Sequence, residues 1–246
     1  MKNLDILKAR YIAHRGLHNR ETGVPENSMA AFAAAVDAGL PVEFDLHLLK
    51  DGQIVVFHDD NLVRMTGLDK DIKDCTYDEI KDLTLYDTEE RIPLLEDVLR
   101  LADGKVLLDI ELKTDLPAGQ LEAALCPLLD AYAGAFVVKS FSPFSVQWFH
   151  KHRPDYIRGQ LSCDFRDADL RPLSKFICKH MLLHALAKPD FIAYALDSLP
   201  NRKVARFRKR GLPVLVWTIR SEEELERARE YGDGFVCETM PPPSRG

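Results

Sequence analysis

A chain of 246 residues, 46% of them apolar, is long enough for one large domain and rich enough to bury a substantial core. The net charge of −6, with no basic stripe, excludes a nucleic-acid binder. The five scattered cysteines exclude a C-x-x-C zinc site or disulfide framework, and without a signal-like core or about 18 uninterrupted apolar residues a cytoplasmic protein with no stable membrane insertion is expected.

The first strand is Tyr11-Ile12-Ala13, which ends in His14-Arg15-Gly16 and so carries one titratable ring and one guanidinium at its carboxyl end. A polar loop over 17–26 leads to Asn27 or Ser28 as the cap of an alanine-rich helix over 29–38, closed by Gly39. Strand two, 42–46, alternates, so that Glu43 and Asp45 share one face and Phe44 takes the other. His47 has the parity of Asp45 and is expected at the rim. The turn signal Lys50-Asp51-Gly52 returns the chain at once as a strand over 53–57, which ends in His58-Asp59-Asp60. Turns and short helical pieces such as 76–82 follow.

From Pro93 the rhythm is regular: helix 94–102, strand 106–112, helix 118–131, strand 135–139, helix 143–152 and strand 156–161. A long helical segment over 167–187 precedes strand 191–195, helix 201–210, strand 213–218, helix 222–230 and strand 234–236. The basic run Arg206 to Arg210 reads as a last helical turn before Gly211, where cations favour the carbonyl end. Eight strands outside 47–92 predict an α/β fold: a (β/α)8 TIM barrel forming one domain over 1–246, with 47–92 inserted after the second strand on the catalytic rim. Only a proline-rich tail follows strand eight, so the eighth outer helix is expected to be missing, with segment 3–8 as a candidate to cover part of the gap.

In Val106 to Lys113, residues Asp109, Glu111 and Lys113 share a side, as Glu43 and Asp45 do. Glu43, Asp45 and Glu111 therefore converge from two strands, and buried carboxylates need a partner. An oxygen-only set suits one divalent cation, Mg²⁺ or Ca²⁺, better than zinc. The alternative is an ion-pair network with Arg15 and Lys113, but three carboxylates against two cations leave a negative excess that is costly to bury. Asp109 lies one layer deeper, where it is expected to orient Lys113. A lone histidine after a strand is usually a packing residue; two, His14 and His58, beside carboxylate-bearing strands favour chemistry. Apart from His18 and His47, the other histidines, His150, His152, His180 and His184, lie in helical stretches.

The set His14-Arg15-Gly16, Pro25-Glu26-Asn27-Ser28, Glu43-x-Asp45, Lys50-Asp51-Gly52, His58-Asp59, Leu62-x-Arg64-x-Thr66-Gly67 and Glu111-x-Lys113 resembles the glycerophosphodiester phosphodiesterase family. The resemblance implies metal-dependent hydrolysis of a small-molecule glycerophosphodiester to sn-glycerol 3-phosphate and an alcohol, with His14 and His58 as acid and base. The glycerol 2-hydroxyl would be the nucleophile, giving a cyclic phosphate that water opens. Arg15, Lys113 and, by resemblance, Asn27 would bind the phosphate; for Asn27 the alternative is a helix cap. Trp217 and Phe141 are candidates for contacting the alcohol, or for ordinary core. The seventh strand commonly ends Thr-Val-Asn in related enzymes and here ends Thr218-Ile219-Arg220. The eighth commonly ends Thr-Asp, and Cys237-Glu238 stands there. Both changes are expected to bear on the alcohol and to leave the phosphate chemistry untouched. Two rival functions are lysophospholipase D activity, which needs an apolar apron around the mouth, and a non-catalytic phosphodiester-binding barrel.

Overall fold

The computed structural model describes residues 2–8, 10–166 and 172–238. The chain opens with β1 (Tyr11–His14), α1 (Met29–Asp37), β2 (Val42–Leu48) and β3 (Ile54–Val56), then the short helices α2 (Val63–Thr66) and α3 (Tyr77–Ile80). Next come α4 (Leu95–Ala102), β4 (Leu108–Leu112), α5 (Gln120–Ala131), β5 (Phe136–Ser140), α6 (Pro143–His152) and β6 (Arg158–Ser162). The remainder is α7 (Pro172–Lys179), α8 (His184–Ala187), β7 (Phe191–Ala195), α9 (Arg202–Lys209), β8 (Val214–Ile219), α10 (Glu222–Arg229) and β9 (Gly234–Cys237).

Eight strands pair in parallel in the order β1-β2-β4-β5-β6-β7-β8-β9, and β9 returns to β1, closing a TIM barrel. The ninth, β3, is antiparallel to β2. Along one edge of β2, β1 pairs with Val42 and Glu43, and β3 takes over at Leu46 to Leu48. The chain leaving β3 therefore arrives above β1, which is why two histidines far apart in sequence meet.

Alternation along the strands sorts side chains into two layers. Phe44, Leu108, Ile110 and Val138 face outward against Phe32, Leu95, Leu99, Leu125 and Phe149 of the helices. On the far side Ile192, Tyr194, Val214 and Val216 receive Val204, Phe207 and Leu225. The barrel interior holds Ile12, Leu107, Val137, Leu161, Phe191, Leu215 and Val236. Ser28, Ser142, Asn201 and Ser221 cap helices with their side chains, satisfying amides that the first helical turn leaves free.

Segment 3–8 does not cover an outer gap. It forms a short 3-10 turn whose Leu7 is fully buried with the interior cluster, so close to β9 that a Cβ on Gly234 would lie 2.3 Å from the Leu7 carbonyl oxygen. Burying Leu7 in the apolar interior removes more surface from water than a place in the outer ring would. The place of the eighth outer helix, after Cys237, falls outside the described residues. The helical segment expected over 167–187 is two helices, because the chain turns at Met181, which is buried at φ 43°; residues 167–171 lie outside the described ones. Between β2 and α4 the chain builds its own apolar cluster, with Leu49, Phe57, Leu62, Met65, Ile72 and Ile80 at its centre.

Candidate active site

The inward faces of β1, β2, β4 and β5 turn polar towards their carboxyl ends. In register, His14 lies beside Glu43 and Glu43 beside Asp109, and in the next layer Asp45 lies beside Glu111 and Glu111 beside Lys139. A cavity of about 300 Å³ opens there, lined by nine of the ten residues expected at the site; Asn27 is the tenth.

Glu43, Asp45 and Glu111 are all buried, and one carboxylate oxygen from each lies within 4.8 Å of the others. The set is all oxygen, which suits a hard divalent cation. Asn27 adds to it: its Nδ2 donates to Asp45 Oδ2 at 3.0 Å, and its buried Oδ1 has no partner. Ser28, not Asn27, caps α1, accepting from the Ala31 amide. The residues present therefore fit a divalent ion.

Lys113 bridges the same carboxylates, with Nζ 3.0 Å from Asp45 and 2.5 Å from Glu111. Burial alone would raise Asp45, but Lys113, His58 and Arg15 hold it well below the usual carboxylate range. Burial lowers Lys113 and those two carboxylates more than reverse it, so the ammonium stays charged.

Asp109 does not orient Lys113. It accepts from Lys139 Nζ at 2.7 Å, and Lys139 also lies 3.2 Å from Glu43. Burial disfavours the charged lysine, yet Asp109 and Glu43 keep it protonated. The expected excess of one negative charge stands on a larger network: Glu43, Asp45, Asp109 and Glu111 face Arg15, Lys113 and Lys139. The sequence signal was available, since a lysine in the apolar run of β5 has no solvent to reach.

His14 and His58 are each oriented by a carboxylate. His14 Nδ1 donates to Glu238 at 3.3 Å, with Nε2 3.9 Å from Glu43. His58 Nδ1 donates to Asp59 at 2.6 Å. An ionised carboxylate only accepts, so both rings carry the proton on Nδ1 and turn Nε2 away from the partner. The hydrogen bond from His14 holds Glu238 at about 2, helped by Arg220, whose Nε lies 2.8 Å from it. The two departures at the ends of β8 and β9 therefore pair with each other and reach His14. The expectation that they bear on the alcohol alone is corrected, because Glu238 contacts His14.

Arg15, at φ 57°, sits on the turn after β1. Its amide donates to Glu43, one guanidinium nitrogen donates to Glu26 at 2.6 Å, and its buried Nε is without a hydrogen bond, 3.6 Å from Asp45. Arg64 ties this corner together, donating to Asp59 at 2.5 Å and to Glu26 at 2.7 Å. Glu26, Asp59 and Arg64 all stand in recognisable motifs, yet only the contacts show what they hold. His47 is buried rather than at the rim, with Nε2 3.4 Å from the His58 carbonyl oxygen. Phe141 and Trp217 stack edge to face at 5.6 Å in the cavity wall, and Trp217 Nε1 is buried without a partner.

Residues 14–237 match the family described as glycerophosphoryl diester phosphodiesterase. A glycerophosphodiester phosphodiesterase of Caldanaerobacter subterraneus is 30% identical, over 94% of this chain and 95% of its own. A lysophospholipase D of Rattus norvegicus is 27% identical, over 95% of this chain and 84% of its own. Among solved structures, a glycerophosphodiester phosphodiesterase of Parabacteroides distasonis superposes with a TM-score of 0.76 at 26% identity, covering 94% and 93% of the two chains. An Oleispira antarctica phosphodiesterase, in complex with sn-glycerol-3-phosphate, shares the fold with a TM-score of 0.79 at 24% identity, covering 94% of each chain. With its acidic cluster, paired histidines and closed barrel, this chain belongs to the glycerophosphodiester phosphodiesterase family and is a phosphoric diester hydrolase.

Proposed function

We propose that this hydrolase cleaves glycerophosphodiesters to sn-glycerol 3-phosphate and an alcohol such as choline or ethanolamine, using one Mg²⁺ or Ca²⁺ ion held by Glu43, Asp45 and Glu111. The observation that carries the reading is the pair of histidines, each fixed at Nδ1 by a carboxylate and lining one cavity with the buried Glu43, Asp45 and Glu111 and the cations Arg15, Lys113 and Lys139. The bound product in the Oleispira neighbour is the product proposed here. When bound, the ion supplies a Lewis acid for the phosphoryl oxygens.

The protein's own groups do the rest. Arg15 offers a rigid fork whose Nε is unused, and Lys113 a point charge that exchanges a carboxylate oxygen for a phosphoryl oxygen at little cost. Asn27 holds Asp45 in place and turns its free carbonyl oxygen to the same corner. One histidine takes the proton of the glycerol 2-hydroxyl at Nε2 as that oxygen attacks phosphorus, and the other gives a proton to the departing alkoxide. In the second step the two exchange roles, and water opens the cyclic phosphate. Phe141 and Trp217 contact the alcohol. The five cysteines are free and, among the described residues, no helix is long and apolar enough to cross a membrane; we place the protein in the cytoplasm.

The test is turnover of glycerophosphocholine by the purified protein with chelator and with added Mg²⁺ or Ca²⁺. Metal-restored release of choline supports the reading; tight binding without turnover of any diester favours a binding module instead. A lysophospholipase D reading gains weight from the exposed apolar side chains Leu116 and Phe144 in the segments that follow β4 and β5.

A further inference from the structure

The exposed large apolar side chains are not scattered. Of the eight among the described residues, four fall between 173 and 186, led by Leu173 at 70% and Phe176 at 55% exposure. Both belong to α7, and α7 lies on the catalytic rim. Ser162, the last residue of β6, donates its hydroxyl to the Cys178 carbonyl at 3.0 Å. Ile177, Cys178 and Met181 turn inward to Phe141 and Leu161, and Phe165, just before the helix, stacks on Phe141 in the cavity wall. Leu116 and Phe144, both exposed, continue the arc in the segments that leave the carboxyl ends of β4 and β5.

Charge selects the occupant. Residues 172–189 contain three lysines and no acidic side chain, in a chain whose net charge is −6. Lys175 and Lys179 flank Phe176, so apolar side chains and cations share one short amphipathic helix. That combination suits an anionic lipid surface, where apolar groups enter the interface and ammonium groups meet headgroup phosphates. The segment 47–92 carries twice as many acidic as basic residues and would be repelled by such a surface, so contact is made on the α7 side.

We propose that α7 docks the protein, mouth towards the lipid, on bilayers containing anionic phospholipid. The orientation of the mouth rests on the hydrolase reading above. Leu173 and Phe176 of α7, with Leu116 and Phe144 beside them, anchor the contact, and Lys179 strengthens it.

The experiment is co-sedimentation with vesicles of phosphatidylglycerol and phosphatidylcholine in equal parts, and with vesicles of phosphatidylcholine alone, at low and high salt. The wild type is expected to bind the phosphatidylglycerol vesicles in a salt-sensitive way. The double variant Leu173→Asp, Phe176→Asp is expected to lose partitioning on the order of tenfold or more, and Lys179→Gln about fivefold. Both should hydrolyse soluble glycerophosphocholine at the wild-type rate, which shows that they are folded. The inference is overturned if the wild type does not sediment with either vesicle, or if the double variant binds as well as the wild type. A wild-type dimer that the double variant converts to a monomer in light scattering also overturns it, by assigning the face to a second copy. A wild type that binds vesicles but turns over no diester leaves docking standing and removes the hydrolase reading instead.

Discussion

Lys139 decides how the acidic cluster is held in the resting protein. It is the partner of Asp109 and a second partner of Glu43, all three buried. Lys139→Met should cost about 3–5 kcal/mol in urea denaturation, because two buried carboxylates lose their counter-charge. Adding Asp109→Leu should recover most of that loss; a double variant no more stable than the single one would show that the pair is not the cause. For the histidines, His14→Ala or His58→Ala should each reduce turnover on the order of 10² to 10⁴. The double variant should lose much less than the product, since the two act as one unit; steady-state kinetics on glycerophosphocholine measures both. Glu238 links this chemistry to stability. Its folded value of about 2 lies below the reference 4.5, so its stabilisation is complete above 4.5 and is lost as pH falls from there towards 2. Stability measured against pH should therefore fall less steeply across that window in Glu238→Gln than in the wild type.

At the level of elements, the turn after β1 holds the most information per residue. Gly16 is at φ 82°, and a Cβ there would lie 2.8 Å from the backbone and side chain of Ala31 in α1. Only glycine lets the chain pass this close to the helix while Arg15 keeps its place. Gly16→Ala should lower thermal stability and also raise KM, because the shift moves Arg15; an unchanged KM with a lowered Tm would confine the role to folding. The β2–β3 hairpin illustrates a different dependence. Its turn signal is local, and so is visible in Lys50-Asp51-Gly52. That β3 continues the edge vacated by β1, and so delivers His58 above His14, is a matter of pairing between distant strands.

For the whole molecule, a divalent ion that binds only the folded state stabilises it by mass action, about 2.7 kcal/mol at a hundredfold excess over Kd. For a chain of this length that is a rise in Tm of about 5–10 °C. Mg²⁺ or Ca²⁺ should give this rise in the wild type and not in Glu111→Ala, whose own fold should survive, since removing one carboxylate relieves repulsion in the cluster. An equal rise in both would place the ion elsewhere.

What the sequence determined by itself is what depends on local periodicity and on short motifs. The parity of Glu43 with Asp45 and of Asp109, Glu111 and Lys113, the eight-strand alternation, and the histidines at strand ends all follow from a repeat of two along a strand and from turn and cap residues nearby. The tertiary structure alone decided who meets whom. Asp109 meets Lys139 rather than Lys113 because β4 has β5 as a neighbour with its own inward lysine. Leu7 enters the barrel because its interior is apolar at that depth. Glu238 reaches His14 because closing the barrel brings the last strand beside the first, 224 residues away in the chain. A barrel's closure joins residues at the largest sequence separations, where no local pattern records a partner.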